Sequence, residues 1–286
     1  MSIRPSNWRN WPSSNDMTLG EALAAARQRI DRLDARLLLQ YATGCTHAEL
    51  LARPETLLGA SARVQFENWV ERRAGGEPLA YLVGEAEFRG RVFQVSPAVL
   101  IPRPDTEVLV EQALLRLHGK ESPAVLDLGT GSGIVAVSLA LECSTARVVA
   151  VDISAAALTV AASNAGRLGA DVEYLEGDWY APLAGRRFDL IVANPPYIAA
   201  SDPHLAGDGL PFEPQGALTD GGDGLDCLRS IAAGAAAHLR PGGWLLLEHG
   251  HEQGAACRNL LSTAGFQAAF THPDLAGSDR VSGAHL

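Results

Sequence analysis

The feature that most constrains the fold is a regular alternation of strand-like and helix-like segments, which begins after Pro123. The strand-like segments are short and apolar, and they read AVLDLG, RVVAVDI, VEYLEGD, FDLIVANPPY and GGWLLLEHG. Most of them are separated by segments with helical periodicity, among them LDCLRSIAAGAAAHL. Strands that alternate with helices pair in parallel through right-handed crossovers. The second half of the chain is therefore predicted to form an α/β domain.

The segment from residue 18 to about residue 75 is predicted to be helical, because it contains no strand-like alternation. Thr18 with Glu21, and Thr46 with Glu49, have the spacing of capping boxes, and Gly44 suits a helix stop. A longer helix lies in SARVQFENWVERRAGG and is expected to bury four apolar side chains, those of Val64, Phe66, Trp69 and Val70. This part of the chain is predicted to be a small helical bundle.

Between the helical segment and the α/β domain the pattern changes. Aromatic and β-branched residues alternate on both sides of Gly90, which predicts a β-hairpin. The next segment, IPRPDTEVLVEQALLRL, predicts a helix with Pro104, Asp105 and Glu107 in its first turn.

Charge and cysteine content narrow the range of functions. The net charge of −10 and the pI of about 5.3 argue against general nucleic-acid binding, which needs a basic surface. Neither the histidines nor the cysteines have the spacing of metal ligands, so no metal site is expected. The first residues lack the apolar stretch of a signal peptide, and no apolar run reaches the roughly 18 residues of a membrane span. We expect a cytoplasmic protein.

A glycine-rich loop, DLGTGSG, follows the first strand of the α/β domain and opens a helix. Glycines at such a position allow a tight turn and let a ligand approach the backbone. The loop fits nicotinamide and flavin binders as well as S-adenosylmethionine binders, and it also fits a turn that binds nothing. The candidate binding residues are Gly129, Thr130, Gly131, Ser132 and Gly133.

Two later strands add candidates for binding a nucleotide-like ligand. Asp152 lies about 20 residues after the glycine loop, where an acidic residue binds ribose hydroxyls; it could instead cap the next helix. Asp178 and Trp179 follow the third strand, where a carboxylate and an aromatic face could meet adenine. Trp179 could equally pack in the core.

The fourth strand ends abruptly at Asn194-Pro195-Pro196-Tyr197, because adjacent prolines cannot continue a strand. The side-chain oxygen of Asn194 and the carbonyl oxygen of Pro195 could accept both N–H bonds of a planar NH2 group, and Tyr197 could stack on it. Such positioning would direct the nitrogen lone pair at a methyl donor, and it needs no strong base. The alternative is a turn that merely ends a strand.

Six segments, taken together and in this order, resemble the HemK/PrmC family: GEPLAYLVGEAEFRG, LIPRPDTEVLVEQAL, VLDLGTGSG, ANPPYI, FEPQGAL and GGWLLLEHG. Its members are bacterial enzymes that use S-adenosyl-L-methionine to methylate the glutamine of the Gly-Gly-Gln motif in peptide chain release factors. The resemblance implies a class I methyltransferase fold, with a Rossmann-like seven-stranded sheet whose last strand is antiparallel and a small N-terminal helical bundle.

The resemblance also implies roles for individual residues. The glycine loop, Asp152, Trp179 and Asn194 would contact the cofactor, with Asp178 beside them. The substrate glutamine would be held by Asn194, Pro195, Pro196 and Tyr197. Arg103 and Glu213 match family segments near the site; the alternatives are a salt bridge at the start of a helix for Arg103 and a loop carboxylate for Glu213.

The implied domains are a mobile tail over residues 1–17, a helical substrate-recognition domain over 18–77, a hairpin linker over 78–104 and a catalytic domain over 105–286. The implied function is transfer of a methyl group to the N5 amide nitrogen of the release-factor glutamine. A ribosomal-protein glutamine methyltransferase and a nucleic-acid amino-methyltransferase are the alternatives, and a non-enzymatic binding module is a third. We expect a monomer without stable nucleic-acid or membrane binding.

Overall fold

The computed structural model describes residues 16–207 and 209–286, and it divides into two compact units. The first unit ends at Val83 and the second begins at Gly84. Residues 1–15 of the predicted tail lie outside the described residues. Met17, at the end of that predicted tail, is fully buried in the core of the first unit.

The first unit is a bundle of five helices within the part of the chain that the structure describes. They are α1 (Leu19–Ala26), α2 (Arg32–Thr43), α3 (His47–Ala52), α4 (Ala60–Ala74) and α5 (Leu79–Val83). Both predicted capping boxes are present, at Thr18 with Glu21 and at Thr46 with Glu49. Gly44 ends α2 with φ of 73°, the left-handed conformation that glycine adopts without steric strain.

The core of the helical unit confirms part of the prediction for α4. Phe66 and Val70 are fully buried and Trp69 is half-buried, but Val64 is 68% exposed. The expectation for Val64 was wrong because residues two positions apart point about 200° apart around a helix, so Val64 and Phe66 cannot share the inner face.

The boundary between the units differs from the predicted one after residue 77. Residues 79–83 form α5, which packs on α2 and α4, so they belong to the helical unit. The predicted hairpin is present as β1 (Glu85–Phe88) and β2 (Arg91–Gln94). It is part of the second unit rather than a linker, because Phe88 and Phe93 are buried in the core of that unit.

The second unit contains the predicted seven-stranded sheet. Its strands are β3 (Ala124–Leu128), β4 (Arg147–Asp152), β5 (Val172–Glu176), β6 (Phe188–Ala193), β7 (Leu239–Glu248), β8 (Gln267–Pro273) and β9 (Asp279–His285). Their order is β5-β4-β3-β6-β7-β9-β8. The last strand, β9, is antiparallel to both of its neighbours, as the resemblance implied.

Helices cover both faces of this sheet. They are α6 (Thr106–Leu117), α7 (Ile134–Glu142), α8 (Ala155–Leu168), α9 (Gln215–Leu218), α10 (Asp226–His238) and α11 (Gly254–Thr263). Helices α6 and α7 and the hairpin pack on one face, and α10 and α11 pack on the other. Helix α6 begins at Thr106, so Glu107 lies in its first turn as predicted, but the prediction was wrong for Pro104 and Asp105, which precede the helix. In the described residues no helix has both the length and the hydrophobicity to cross a bilayer.

Replacement of Phe66 by alanine should lower the free energy of unfolding of the helical unit by about 3–5 kcal/mol, since it removes a fully buried ring from the core. Val64→Ala, on the exposed side of the same helix, is the matched control and should change the stability by no more than about 0.5 kcal/mol. Denaturant unfolding followed by circular dichroism measures both. Equal losses for the two variants would contradict the assignment of the buried face.

Candidate active site

A cavity of about 410 Å³ lies in the second unit at the carboxyl ends of the parallel strands. In the register of the sheet Leu128 pairs with Val151 on one side and with Ala193 on the other. The residues that follow these three positions therefore emerge side by side. Ligands of open α/β sheets bind at this edge, where the strand order reverses.

The cavity brings most of the predicted residues together. Those that line it are Arg103, Gly129, Thr130, Gly131, Ser132, Asp152, Asp178, Trp179, Asn194 and Pro196. Four other predicted residues do not line it, and these are Gly133, Pro195, Tyr197 and Glu213.

Three glycines of the loop have positive φ, but their surroundings differ. A Cβ atom on Gly133 would lie 3.1 Å from the Cβ of Ala161, so this glycine permits close packing of two helices. A Cβ atom on Gly129 would lie 3.4 Å from the ring of Trp179. A Cβ atom on Gly131 would meet nothing within 4 Å, so the backbone at Gly131 faces the open cavity. Only Gly131 leaves room for a ligand against the backbone.

Asp127 is a buried carboxyl group beneath the glycine loop that the sequence did not single out. It accepts a hydrogen bond from the Thr130 hydroxyl at 2.7 Å, which fixes the loop to the end of β3. Burial raises the pKa of Asp127 to about 7, and the Thr130 hydrogen bond opposes that rise.

Asp152 shapes the loop and also holds the residue that caps the next helix, Ser154. Its Oδ2 accepts a hydrogen bond from the Gly131 N–H at 2.8 Å, and its Oδ1 accepts one from the Ser154 N–H at 2.9 Å. A carboxylate can accept further hydrogen bonds on its remaining lone pairs. The carboxylate can thus bind a ligand hydroxyl in the cavity while it holds both backbone segments. The alternative that Asp152 caps the next helix was wrong, because the side chain of Ser154 caps it.

Asp178 and Trp179 line the same cavity on the side of β5. The backbone of Trp179 has φ of 43°, a conformation that non-glycine residues seldom adopt. Its ring packs on the core beneath the sheet edge and also lies against Gly129. Trp179 therefore has the packing role and a cavity-facing position at the same time.

The Asn194-Pro195-Pro196-Tyr197 segment continues from β6 with its members in different environments. Asn194 is half-buried and lines the cavity, and its Nδ2 donates a hydrogen bond to the Thr106 hydroxyl at 3.1 Å. Pro195 is buried and Pro196 lines the cavity. The Tyr197 ring packs on the core, and its hydroxyl lies 3.5 Å from Oε1 of Glu248. Burial raises the pKa of Tyr197, so its hydroxyl is protonated at neutral pH.

Arg103 and Glu213 form an ion pair between two segments of the cavity wall. The Glu213 side chain is almost fully buried, and it also accepts a hydrogen bond from the Ile101 N–H at 2.9 Å. Glu213 therefore fixes the IPRP segment in place, and Arg103 alone of the pair reaches the cavity. The contact agrees with both alternative interpretations, since Arg103 forms a salt bridge just before α6 and Glu213 is a loop carboxylate.

Besides Asp127, two residues around the predicted site were not predicted from the sequence. Thr106 lines the cavity from the start of α6, and Glu248 lies buried at the end of β7. The IPRPDTE and LEHG segments that contain them resemble family segments, and this resemblance was the one sequence feature that could have identified them as site residues. The sequence pattern does not reveal that a threonine and a glutamate so far apart approach the same asparagine.

Three carboxylates near the cavity, those of Asp220, Asp223 and Asp226, are the one group in residues 16–207 and 209–286 close enough together to hold a metal ion. Arg229 forms ion pairs with Asp223 at 2.6 Å and with Asp226 at 2.5 Å. Asp220 accepts hydrogen bonds from three backbone N–H groups of the same loop. The three carboxylates are thus paired with an arginine side chain or with backbone N–H groups.

Family models match both units. The model of the PrmC N-terminal domain matches residues 19–84, and that of the methyltransferase small domain matches residues 104–225. A release factor glutamine methyltransferase from Xylella fastidiosa is 55% identical over 261 residues, which cover 91% of this chain and 95% of the relative. One from Burkholderia pseudomallei is 50% identical and covers 97% and 99% of the two chains.

Solved structures support the fold of the catalytic unit. A methyltransferase from Pyrococcus furiosus matches with a TM-score of 0.53 at 18% identity, over 77% of this chain and 98% of that one. A 16S rRNA N2 methyltransferase from T. thermophilus, in complex with AdoMet and guanosine, has a TM-score of 0.53 at 26% identity. The match covers 70% of this chain and 49% of that chain.

Replacement of Gly131 by valine should lower the affinity for S-adenosylmethionine at least about 100-fold, because the new side chain would occupy the open space against the loop. Gly119→Val is the matched control, since Gly119 also has positive φ and open space but lies away from the cavity. Calorimetric titration of both variants measures the affinity. Unchanged binding by Gly131→Val would show that this loop does not face the cofactor.

Proposed function

The chain belongs to the release factor glutamine methyltransferase family, and from this premise we propose how its residues perform the reaction. It is an S-adenosylmethionine-dependent enzyme that methylates the N5 amide nitrogen of a release-factor glutamine. The observation that carries the proposal for the site is the position of Asn194, which lines the same cavity as the glycine loop and Asp152. The proposed acceptor of the substrate amide and the proposed cofactor-binding groups thus line the same cavity.

The residues of the cavity suit S-adenosylmethionine. The backbone at Gly131 is open to a ligand, and the Asp152 carboxylate retains lone pairs for the ribose hydroxyls. Asp178 and Trp179 offer an acceptor and an aromatic face for the adenine. The cofactor supplies a methyl group on a positively charged sulfur. We propose that Gly129 to Ser132, Asp152, Asp178, Trp179 and Asn194 bind it, and that Gly133 completes the loop by letting α7 pack closely on α8.

The substrate is a planar carboxamide, whose nitrogen lone pair is delocalised and therefore weakly nucleophilic. We propose that Oδ1 of Asn194 and the carbonyl oxygen of Pro195 accept the two N–H bonds of the glutamine amide. That arrangement fixes the plane of the amide and points the nitrogen at the methyl group. Positioning of this kind can lower the activation free energy by several kcal/mol, and by about 7 kcal/mol or more in the best cases.

The remaining site residues support this geometry in the same proposal. Pro196 lines the cavity next to the bound amide. Tyr197 does not line it, but its ring is only half-buried, and we propose that the amide plane stacks on the part that does not pack on the core. Gln253 holds the loop, because its Nε2 donates hydrogen bonds to the carbonyl oxygens of Tyr197 and Gly224 at 3.0 and 3.2 Å. Arg103, held by Glu213, contacts the substrate polypeptide.

The helical unit is the proposed recognition domain for the release factor. The sheet and cavity provide the chemistry, so discrimination between protein substrates must come from other surfaces. The match to the PrmC N-terminal domain separates this chain from nucleic-acid amino-methyltransferases that share the catalytic fold. The net charge of −10 supports the same distinction. We further propose that the enzyme acts as a monomer in the cytoplasm without stable nucleic-acid binding.

A labelled-methyl transfer assay tests the function. Whole release factor, the same factor with alanine in place of the glutamine of the Gly-Gly-Gln motif, ribosomal protein and bulk nucleic acid are offered side by side. We expect label in the unmodified release factor alone. Label in ribosomal protein or nucleic acid would favour one of the alternative substrates, and label in the alanine variant would place the methylated nitrogen elsewhere. A short peptide containing Gly-Gly-Gln should accept much less label if the helical unit recognises the folded factor.

Asn194→Ala should abolish methyl transfer, because it removes an acceptor that fixes the substrate amide. The affinity for S-adenosylmethionine should fall far less than turnover, since the glycine loop and Asp152 remain. The methyl transfer assay and calorimetry measure the two quantities, and Asn259→Ala on the exposed side of α11 in the second unit is a control. Turnover close to that of the wild type would contradict the positioning mechanism.

A further inference from the structure

The orientation of the Asn194 amide matters for the proposed function. Its oxygen and nitrogen have nearly the same shape, yet only the oxygen can accept an N–H bond from the substrate. A half-turn of the amide would present an NH2 group to the NH2 group of the glutamine and would repel it. Some protein group must therefore hold the nitrogen away from the cavity. Nδ2 of Asn194 donates to the Thr106 hydroxyl at 3.1 Å, and this contact sets the orientation.

The Thr106 hydroxyl can set that orientation only if its own proton points elsewhere. A hydroxyl has one proton, so it can either accept from Nδ2 of Asn194 or donate to Oδ1. Thr106 is almost fully buried, at 1% exposure, so bulk water does not take its proton. Its remaining neighbour is the carboxyl group of Glu248, and the interaction of that carboxyl group with the Thr106 side chain opposes the rise of its pKa.

Glu248 lies immediately behind this pair. It follows Leu247, which pairs with Ala193 in the sheet, so the ends of β7 and β6 place Glu248 and Asn194 close together. The Glu248 side chain is fully buried, and its Oε2 has no hydrogen-bond partner among the described residues. A buried carboxyl group with so few partners costs stability, which suggests a role beyond packing.

The charged and titratable groups around Glu248 come from three elements. Arg280 on β9 attracts it, Asp105 before α6 repels it, and the Tyr197 hydroxyl donates to it at 3.5 Å. Arg280 is itself paired with Asp105 and Asp274, both at 3.2 Å. Burial raises the pKa of Glu248 to about 7, while the hydrogen bond from Thr106 and the charge of Arg280 oppose that rise.

We propose that Glu248 is a positioning residue, which accepts the Thr106 hydroxyl proton and thereby makes Thr106 an acceptor for Asn194. The Asn194 carbonyl oxygen then faces the substrate amide. The inference rests on the proposed function of Asn194 and adds Thr106 and Glu248 to it. Neither residue needs to touch the reacting atoms.

The protonation of Glu248 makes turnover depend on pH. Below its pKa the Glu248 carboxyl group carries a proton and can donate to Thr106, whose own proton is then free to turn toward Oδ1 of Asn194. Amide orientation would be lost, so kcat should fall as the pH decreases through about 7. The affinity for S-adenosylmethionine should change little over this range.

The test compares Thr106→Val, Thr106→Ser and Glu248→Gln with the wild-type enzyme. Thr106→Val keeps the shape but loses the hydroxyl, and kcat should fall about 10- to 100-fold with cofactor affinity within about 3-fold of wild type. Thr106→Ser restores the hydroxyl and should recover most of the turnover. Glu248→Gln has no titrating group and should remove the decrease of kcat below pH 7. Ser138→Ala is the control, since it removes another fully buried hydroxyl that has no partner among the described residues.

A purely structural role would lower thermal stability in the variants and leave the pH profile of kcat unchanged. Wild-type kcat in Thr106→Val, or an unchanged acidic limb in Glu248→Gln, would overturn the inference. If Glu248→Gln does not fold, Thr106→Val gives the same pH test, because it too breaks the link from Glu248 to Asn194. Full turnover by Asn194→Ala would instead remove the proposed function. An inactive Asn194→Ala beside active Thr106→Val and Glu248→Gln would remove this inference alone.

Discussion

The parallel pairing of β3 with β4 on one side and with β6 on the other is the constraint on which the site depends. Parallel strands all end at the same edge of the sheet, so whatever follows Leu128, Val151 and Ala193 must meet there. The glycine loop, Asp152 and Asn194 are those residues. The neighbouring strand β7 ends in the same direction and adds Glu248 beneath Asn194. The backbone register thus brings together the residues proposed to bind the cofactor, the proposed substrate acceptor and the residue proposed to position it.

Local signals made much of the fold predictable from the sequence. Capping boxes at Thr18 and Thr46 and the glycine stop at Gly44 depend on residues within one turn, and all three are present. The features that the sequence could not give depend on distant contacts. Residues 78–104 contain a hairpin as predicted, but only its packing through Phe88 and Phe93 assigns it to the sheet unit. Helix α5 joins the other unit for the same kind of reason.

The residues of the candidate site also divide into those that local patterns predict and those that depend on distant contacts. Local patterns predicted the glycines, the acidic residue at the end of β4 and the Asn-Pro-Pro-Tyr segment. Each of these is a residue type that ligand binding would need at the end of a strand. The contact of Asn194 with Thr106 joins residues 88 positions apart, and no spacing rule predicts it. Tyr197 illustrates the opposite difficulty: its type suggested an exposed stacking face, but its ring packs on the core and its hydroxyl points to Glu248. Burial of a polar side chain is a tertiary property.

The ion pair of Arg103 with Glu213 joins positions 110 residues apart. Synthesis runs from the N-terminus, so the glycine loop is made well before Glu213, and until then the IPRP segment lacks the carboxylate that holds its Ile101 N–H and Arg103. A chain cut short before Glu213 therefore contains the glycine loop but lacks the anchor of a segment that lines the same cavity.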